Sequence, residues 1–333
     1  MTKSILVSGA SGFVGQALCA ELLKRGHSVR AALRSPSGFN VASCETTKVS
    51  DIAENTSWID ALRDINTVIH LAARVHVMKD SSADPLAEFL KVNLHGTVNL
   101  VEQAARAGVK RLIYVSSVKV NGERTLSSNS ALAGGNCGRG AFTESDRPNP
   151  QDPYAVSKWH AEQALQRIAQ ETGLEVVIVR PPLVYGPGVK GNFIRLLAAI
   201  NRGIPLPLAG ARNARSLIYV GNLVDALITC ATHPAAAGQT YLVSDGHGVS
   251  TAELVKKIAH ALGHPDRSFY LPPALLRAAA VLLGRADQVD RLFDSLCVND
   301  SKIRGELSWL PPYSMEQGLR ETANWFLGEQ PIG

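Results

Sequence analysis

The chain has 333 residues, 45% hydrophobic and 19% charged, with a formal net charge of +5. This balance suits a globular protein with one sizeable core and an appended lobe. No apolar run reaches the ~18–20 residues a membrane span needs. Lys and Arg are dispersed rather than gathered into the stripe that nucleic-acid binding requires. Five cysteines, Cys19, Cys44, Cys137, Cys230 and Cys297, contain no C-x-x-C pair. That pattern argues against zinc and against a disulfide framework, so no metal is expected. With no signal-peptide pattern ahead of the first strand, a cytoplasmic location is expected.

Residues 3 to 110 alternate short apolar strands with helical stretches. Ser4–Val7 reads as a strand. Phe13 to Arg25 reads as an amphipathic helix stopped at Gly26. Ser28–Leu33 is a second strand, and a third is expected to end near Asp51-Ile52. Thr67–Leu71 is the fourth strand, and one long helix is expected from about Pro85 to Ala107, ended by Gly108. Arg111–Val115 is the fifth strand. The alternation implies βαβ units, hence an α/β fold of the doubly wound, Rossmann type with a parallel sheet.

The turn after the first strand, Gly9-Ala10-Ser11-Gly12-Phe13-Val14-Gly15, opens a helix. Glycines there permit a tight turn and a close backbone approach, and the helix N-terminus attracts a pyrophosphate. The spacing is G-x-x-G-x-x-G rather than the standard G-x-G-x-x-G. A dinucleotide is therefore the expected cofactor. The second strand carries no acid at its end, where an NAD site usually has one for the ribose hydroxyls. Arg34-Ser35 stands there instead, which favours the 2′-phosphate of NADPH and leaves NAD(H) as the alternative. Asp51-Ile52 is expected at the adenine, and Leu71-Ala72-Ala73 at a close approach of the cofactor.

The fifth strand runs into Ser116-Ser117-Val118-Lys119-Val120-Asn121-Gly122, at the carboxyl end of the sheet where open α/β folds bind ligands. A serine hydroxyl there can hold a carbonyl or alkoxide oxygen. Further on, Asp152-Pro153 reads as a cap and first helical position. Tyr154 and Lys158 follow, four residues apart and so on one helix face. The lysine charge is expected to favour the phenolate and lower the tyrosine pKa, making a proton-transfer pair. A solvated helix face has the same spacing.

Taken together these residues resemble the extended short-chain dehydrogenase/reductase family of nucleotide-sugar epimerases, dehydratases and reductases. Further matching strings are His70-Leu71-Ala72-Ala73, Asn93-Leu94-His95-Gly96-Thr97, Arg180-Pro181-Pro182-Leu183-Val184-Tyr185-Gly186-Pro187 and Arg215-Ser216-Leu217-Ile218-Tyr219-Val220. Late in the chain, Val224-Asp225-Ala226 and Leu307-Ser308-Trp309-Leu310-Pro311 also match. The resemblance implies Tyr154 as acid/base, Lys158 on the nicotinamide ribose and Ser117 as the catalytic hydroxyl. It also implies Asn93 as a structural support of the site and Pro181 beside the cofactor. Ser116, Lys119 and Asn192 are candidate substrate contacts, and Arg215 and Arg291 are candidates for the phosphates of a UDP-sugar, by charge and location.

Departures from the family pattern narrow the reaction. Val118-Lys119 replaces the Asp-Glu that 4,6-dehydratases carry after the catalytic hydroxyl, and valine transfers no proton. Asn121 replaces a Tyr, and Leu183 stands where many 4-epimerases have an Asn. The expected reaction is NAD(P)H-dependent reduction of a UDP-linked 4-keto-6-deoxy-N-acetylhexosamine. The string Ser116–Glu123 resembles the subgroup that serves O-antigen and other surface polysaccharides. The alternatives are a UDP-sugar 4-epimerase, a reductase of a non-sugar carbonyl, and a dinucleotide-binding protein without catalysis.

Residues 1–180, rejoined by part of 214–245, are expected to bind the cofactor, and 181–333 mainly the nucleotide sugar. The loop 123–140 is a candidate lid. Leu271 to Gly284 reads as an apolar helix of the lobe core, with a partner or membrane-surface contact as the alternative. The resemblance implies a homodimer formed through helices near 85–107 and 153–172.

Overall fold

The computed structural model describes residues 3–75, 84–125, 140–282 and 292–328. Among the described residues nine strands form, in chain order: β1 (Ser4–Ser8), β2 (Ser28–Leu33), β3 (Glu45–Lys48), β4 (Thr67–His70), β5 (Arg111–Val115), β6 (Glu175–Arg180), β7 (Leu183–Tyr185), β8 (Leu217–Tyr219) and β9 (Thr240–Leu242). Seven make one sheet in the order β3-β2-β1-β4-β5-β6-β9, and every pairing in it is parallel. The first six follow the doubly wound order 3-2-1-4-5-6. β4 is buried at all four residues, and β6 at every residue after Glu175, as expected for strands covered on both faces. The edge strand β3 is short and polar, which blunts its unpaired side.

One face is covered by α1 (Phe13–Lys24) and α7 (Val220–Thr232), packed around Ile5, Val7, Leu18, Leu22, Leu223 and Leu227. The other is covered by α4 (Thr97–Arg106) and α5 (Pro153–Thr172), around Leu6, Val68, Leu100, Leu112 and Leu165. β7 and β8 form a separate parallel pair. The lobe is completed by α6 (Asn192–Asn201), α8 (Thr251–Ala261) and the helices Ser301–Leu307 and Met315–Leu327. The last begins with a capping box, in which the Ser314 and Gln317 side chains each take the other residue's backbone N–H. No helix among the described residues is long and apolar enough to cross a membrane.

Four expectations are corrected. The stretch 85–107 is not one helix: α3 (Pro85–Leu90) and α4 flank a π-helical turn at Lys91–Gly96. That turn seats Gly96 on Ile52, where an added Cβ would lie 2.5 Å from Ile52 Cγ2. Periodicity alone does not register the extra residue of a π-turn. β3 ends at Lys48, leaving Asp51-Ile52 in the loop beyond it. The apolar stretch from Leu271 does form a helix, α9 (Pro273–Leu282), but Leu275 and Val281 are each 59% exposed. The lobe core is filled instead from α6, α7 and α8 by Phe193, Leu197, Leu227, Val255 and Ile258. Finally, Cys19, Cys44 and Cys230 are free, whereas Cys297 is disulfide-bonded. Residues 126–139 of the candidate lid 123–140, and the candidate phosphate ligand Arg291, lie outside the described residues.

Candidate active site

The site forms where the carboxyl ends of β1, β4 and β5 meet the start of α5. Asp152 caps α5, its carboxylate accepting from the Ala155 N–H at 2.7 Å, and Pro153 occupies the first turn. This cap fixes the helical phase that turns Tyr154 and Lys158 toward β5. Tyr154 is half-buried, its ring edge-on to Phe89 at 6.1 Å. Lys158 is 2% exposed and donates from Nζ to the Val115 carbonyl at 2.8 Å. Its ammonium lies 4.5 Å from the Tyr114 ring centroid and 6.0 Å from that of Tyr154.

The electrostatics of the pair reverse the sequence expectation. Burial pushes the Tyr154 phenol up, and the Asp152 charge adds to the rise. Burial likewise pulls Lys158 down to about 7, with Glu162 opposing the shift. Desolvation of both groups therefore outweighs their mutual attraction, a comparison that spacing alone cannot make.

Ser117 caps the 3-10 turn Val118–Val120, its Oγ accepting from the Lys119 N–H at 3.2 Å. Ser116 is 3% exposed and its Oγ has no hydrogen-bond partner, which leaves a buried hydroxyl suited to a ligand. Lys119 donates to Glu123 at 2.8 Å and to Asp152 at 2.5 Å, so its charge is matched by two carboxylates and staples the turn to the α5 cap. Asn93 sits in the π-turn. Its side chain accepts from the Arg74 N–H at 2.8 Å, and donates to the Arg74 carbonyl at 3.0 Å and to Ser157 Oγ at 2.9 Å. Ser157 in turn donates to the Tyr154 carbonyl at 2.7 Å, so Asn93 joins the chain after β4 to the Tyr154 helix.

The glycine loop is a cradle that side chains would fill. A Cβ on Gly9 would lie 2.7 Å from the Ala72 nitrogen, and one on Gly15 2.2 Å from the Gly9 carbonyl oxygen. Gly9 also has φ +72, and its carbonyl accepts from the Gly12 N–H at 3.0 Å. Gly12 is the N-cap of α1 with no side-chain cap, leaving the first N–H groups of the helix for an anion. Ser11 is exposed at the mouth, and Phe13, Val14, Leu71, Ala72 and Ala73 are half-buried around it. Pro181 is buried at the end of β6, its carbonyl accepting from the Val118 N–H at 3.0 Å. The loop and the uncapped helix thus fit a pyrophosphate-bearing dinucleotide.

The residues chosen for cofactor choice meet each other. Arg34 Nη1 lies 3.0 Å from Asp51 Oδ1, with side chains 75% and 84% exposed, and Ser35 is exposed alongside. In the lobe, Asn192 is exposed at the first position of α6, after Gly191. Arg215 is half-buried, its backbone paired with Val249 and its Nη1 donating to the Asp294 carbonyl at 3.3 Å.

Two networks were not read from the sequence. Arg180, on β6, forms a buried ion pair with Glu162 of α5 and donates to Asn121 Oδ1 at 3.1 Å. Asn121 then donates to the Thr143 carbonyl at 2.9 Å, which ties down the segment leading to Tyr154. His70 is fully buried between Ser8 and Thr97. The signal for the second lies in strand register, which places Ser8 beside His70 and His70 beside Tyr114.

The sheet order and the glycine cradle at its switch point define a Rossmann-type enzyme of the short-chain dehydrogenase/reductase class. Within that class the chain belongs to the NAD dependent epimerase/dehydratase family, whose model matches residues 5–244. It is 43% identical to a UDP-glucose 4-epimerase of Vibrio cholerae, a match covering 98% of this chain and 96% of that protein. It is 28% identical to a 3-beta-hydroxysteroid dehydrogenase of Mycolicibacterium neoaurum, over 97% of this chain and 91% of that protein. Among solved structures, MoeE5 in complex with UDP-glucuronic acid and NAD superposes with a TM-score of 0.76 at 28% identity, over 98% of this chain and 99% of that one.

Proposed function

We propose that the protein is a UDP-sugar 4-epimerase that retains NAD. The observation that carries this reading is the 43% identity, across nearly the whole of both chains, to the Vibrio cholerae UDP-glucose 4-epimerase. The NAD and UDP-sugar in the MoeE5 complex support the same choice of ligands. The Gly9–Gly15 loop and the N-terminus of α1 would hold the pyrophosphate, and Lys158 the nicotinamide ribose. Bound there, the nicotinamide supplies a reversible hydride acceptor. Ser117 and Ser116 hold the C4 oxygen of the sugar. Tyr154 takes the hydroxyl proton as C4 is oxidised and returns it to the keto oxygen as C4 is reduced on the other face. Asn93 keeps Tyr154 in register through Ser157, and Lys119 does so through the Asp152 cap. Residues 1–180 with part of 214–245 serve the cofactor and the remainder the UDP-sugar, with Asn192 and Arg215 on its side. The enzyme works in the cytoplasm as a homodimer.

One observation favours a second reading, a UDP-4-keto sugar reductase using NADPH: β2 ends in Arg34-Ser35 with no acid. Against it, Arg34 already pairs with Asp51. The purified protein is incubated with UDP-glucose, UDP-N-acetylglucosamine or a UDP-4-keto-6-deoxy-N-acetylhexosamine, and both sugars and cofactor absorbance are followed. Interconversion of C4 epimers with no net cofactor change is the expected result. Stoichiometric NADPH oxidation by the keto sugar, without epimerisation, overturns the epimerase reading in favour of the reductase. In that case Arg34→Ala weakens NADPH far more than NADH.

A further inference from the structure

Tyr114 touches the Lys158 ammonium, yet no role above uses it. It is fully buried, and its hydroxyl has no hydrogen-bond partner. A buried hydroxyl left unpaired is a cost, so the useful part of the residue is its ring. His70 stacks on the ring, with centroids 5.8 Å apart and an interplanar angle of 29°. His70 is itself locked at both ring nitrogens, Nδ1 lying 2.5 Å from Ser8 Oγ and Nε2 2.9 Å from Thr97 Oγ1. Burial and the nearby Lys158 charge pull His70 down to about 3, so it stays neutral over the working range. The Lys158 ammonium lies over the same ring, 4.5 Å from its centroid, and donates its hydrogen bond to the Val115 carbonyl.

We propose that Tyr114 is a positioning residue for the Tyr154–Lys158 pair: its ring face, stacked with His70, seats the Lys158 ammonium as a cation at the end of β5. This rests on the role given above to Lys158. The other ionisable groups around the ammonium are committed elsewhere or carry no charge of opposite sign. Glu162, on α5, favours the charged lysine while sharing its carboxylate with Arg180. Asp152 is held by Lys119. Burial disfavours the Tyr154 phenolate outside the proton-transfer step, and His70 is neutral. Beside Glu162, the electron-rich ring face then offsets desolvation of a buried cation, an interaction that strengthens out of water. Removing it disfavours the charged form, so Lys158 deprotonates at lower pH.

The test uses the full-length protein with Tyr114 replaced by Phe, by phenylalanines carrying one, two or three ring fluorines, and by Leu. Fluorine withdraws charge from the ring face with little change of shape, so the series remains readable if Tyr114→Leu fails to fold. The readout is the alkaline limb of NADH affinity against pH, with kcat and KM for the UDP-sugar measured beside it. Tyr114→Phe keeps the wild-type limb. Each added fluorine moves it down, and Tyr114→Leu moves it by about one pH unit, the size expected for a desolvated cation–π contact. In the same series kcat falls while the sugar KM holds. A limb that stays put across the fluorine series overturns the proposal, as does a Tyr114→Phe variant as impaired as Tyr114→Leu. Because NADH binding is read directly, a wild type that binds NADH but epimerises no UDP-sugar defeats the functional reading and leaves this test standing.

Discussion

Replacing Glu162 by Gln probes the frame of the site through a single charge. The Glu162 and Arg180 side chains are 0% and 5% exposed, and Arg180 also holds Asn121. Glu162→Gln keeps the shape and one acceptor but leaves the guanidinium charge buried and uncompensated. Removing one partner of a buried pair costs about 3–5 kcal/mol, and the retained acceptor puts this case near 3. At roughly 2 °C per kcal/mol for a chain of this size, Tm should fall by about 6 °C. The double variant Glu162→Leu/Arg180→Met removes both charges and fills the space with apolar groups, which is close to neutral for buried pairs. It should therefore melt above Glu162→Gln alone. The four tryptophans allow melting to be followed by intrinsic fluorescence. Because Glu162 favours the charged form of Lys158, Glu162→Gln should also lower the alkaline limb of activity. A Tm within about 2 °C of wild type, or a double variant less stable than the single, would refute the account of an uncompensated charge.

Tyr154→Phe should abolish turnover while leaving cofactor affinity within a few-fold, checked by steady-state rates and a fluorescence titration of NADH. Full activity in that variant removes Tyr154 from the chemistry. Gly9→Ala should lose dinucleotide binding with the fold retained, since its Cβ would meet the Ala72 backbone at 2.7 Å and its φ of +72 disfavours a side chain. Circular dichroism beside calorimetric NAD titration separates the two effects. Acid should destabilise the protein through His70. Its folded value, about 3, lies below the ordinary 6.5, so the unfolded chain binds an extra proton between those limits and stability falls as pH drops through them. Urea midpoints of His70→Gln should be flatter than wild type across that window, and parallel curves would reject the linkage.

The parts of the structure legible in the sequence are those governed by local rules. β2 and β5 begin and end at the residues their apolar runs mark, and the Asp152-Pro153 cap starts α5 where capping chemistry puts it. The glycine loop declared its place because only glycine fits against Ala72 and Ala10. What stayed hidden depends on partners far away in the chain. The pairing of Arg34 with Asp51 across a loop was not visible, nor was that of Lys119, a candidate substrate contact, with Asp152 and Glu123. The pKa order of Tyr154 and Lys158 was hidden for the same reason, since burial is a property of the assembled sheet and helix. α9 misled because its composition resembles a core helix while its Leu275 and Val281 face solvent.

The edge strand β9 bears on how the protein is made. It pairs with β6 through Ile178–Arg180 and Thr240–Leu242, about sixty residues further along the chain. As the polypeptide emerges from the ribosome, β6 is complete while its outer N–H and C=O groups still have no neighbour. The sheet that carries the dinucleotide cradle cannot close until β7, β8 and the long helix α7 have been synthesised. The main sheet and the β7–β8 pair are therefore interleaved in synthesis. A fragment cut after β6 would keep the glycine loop and Tyr154 yet expose an apolar strand edge, the kind of surface that seeds aggregation.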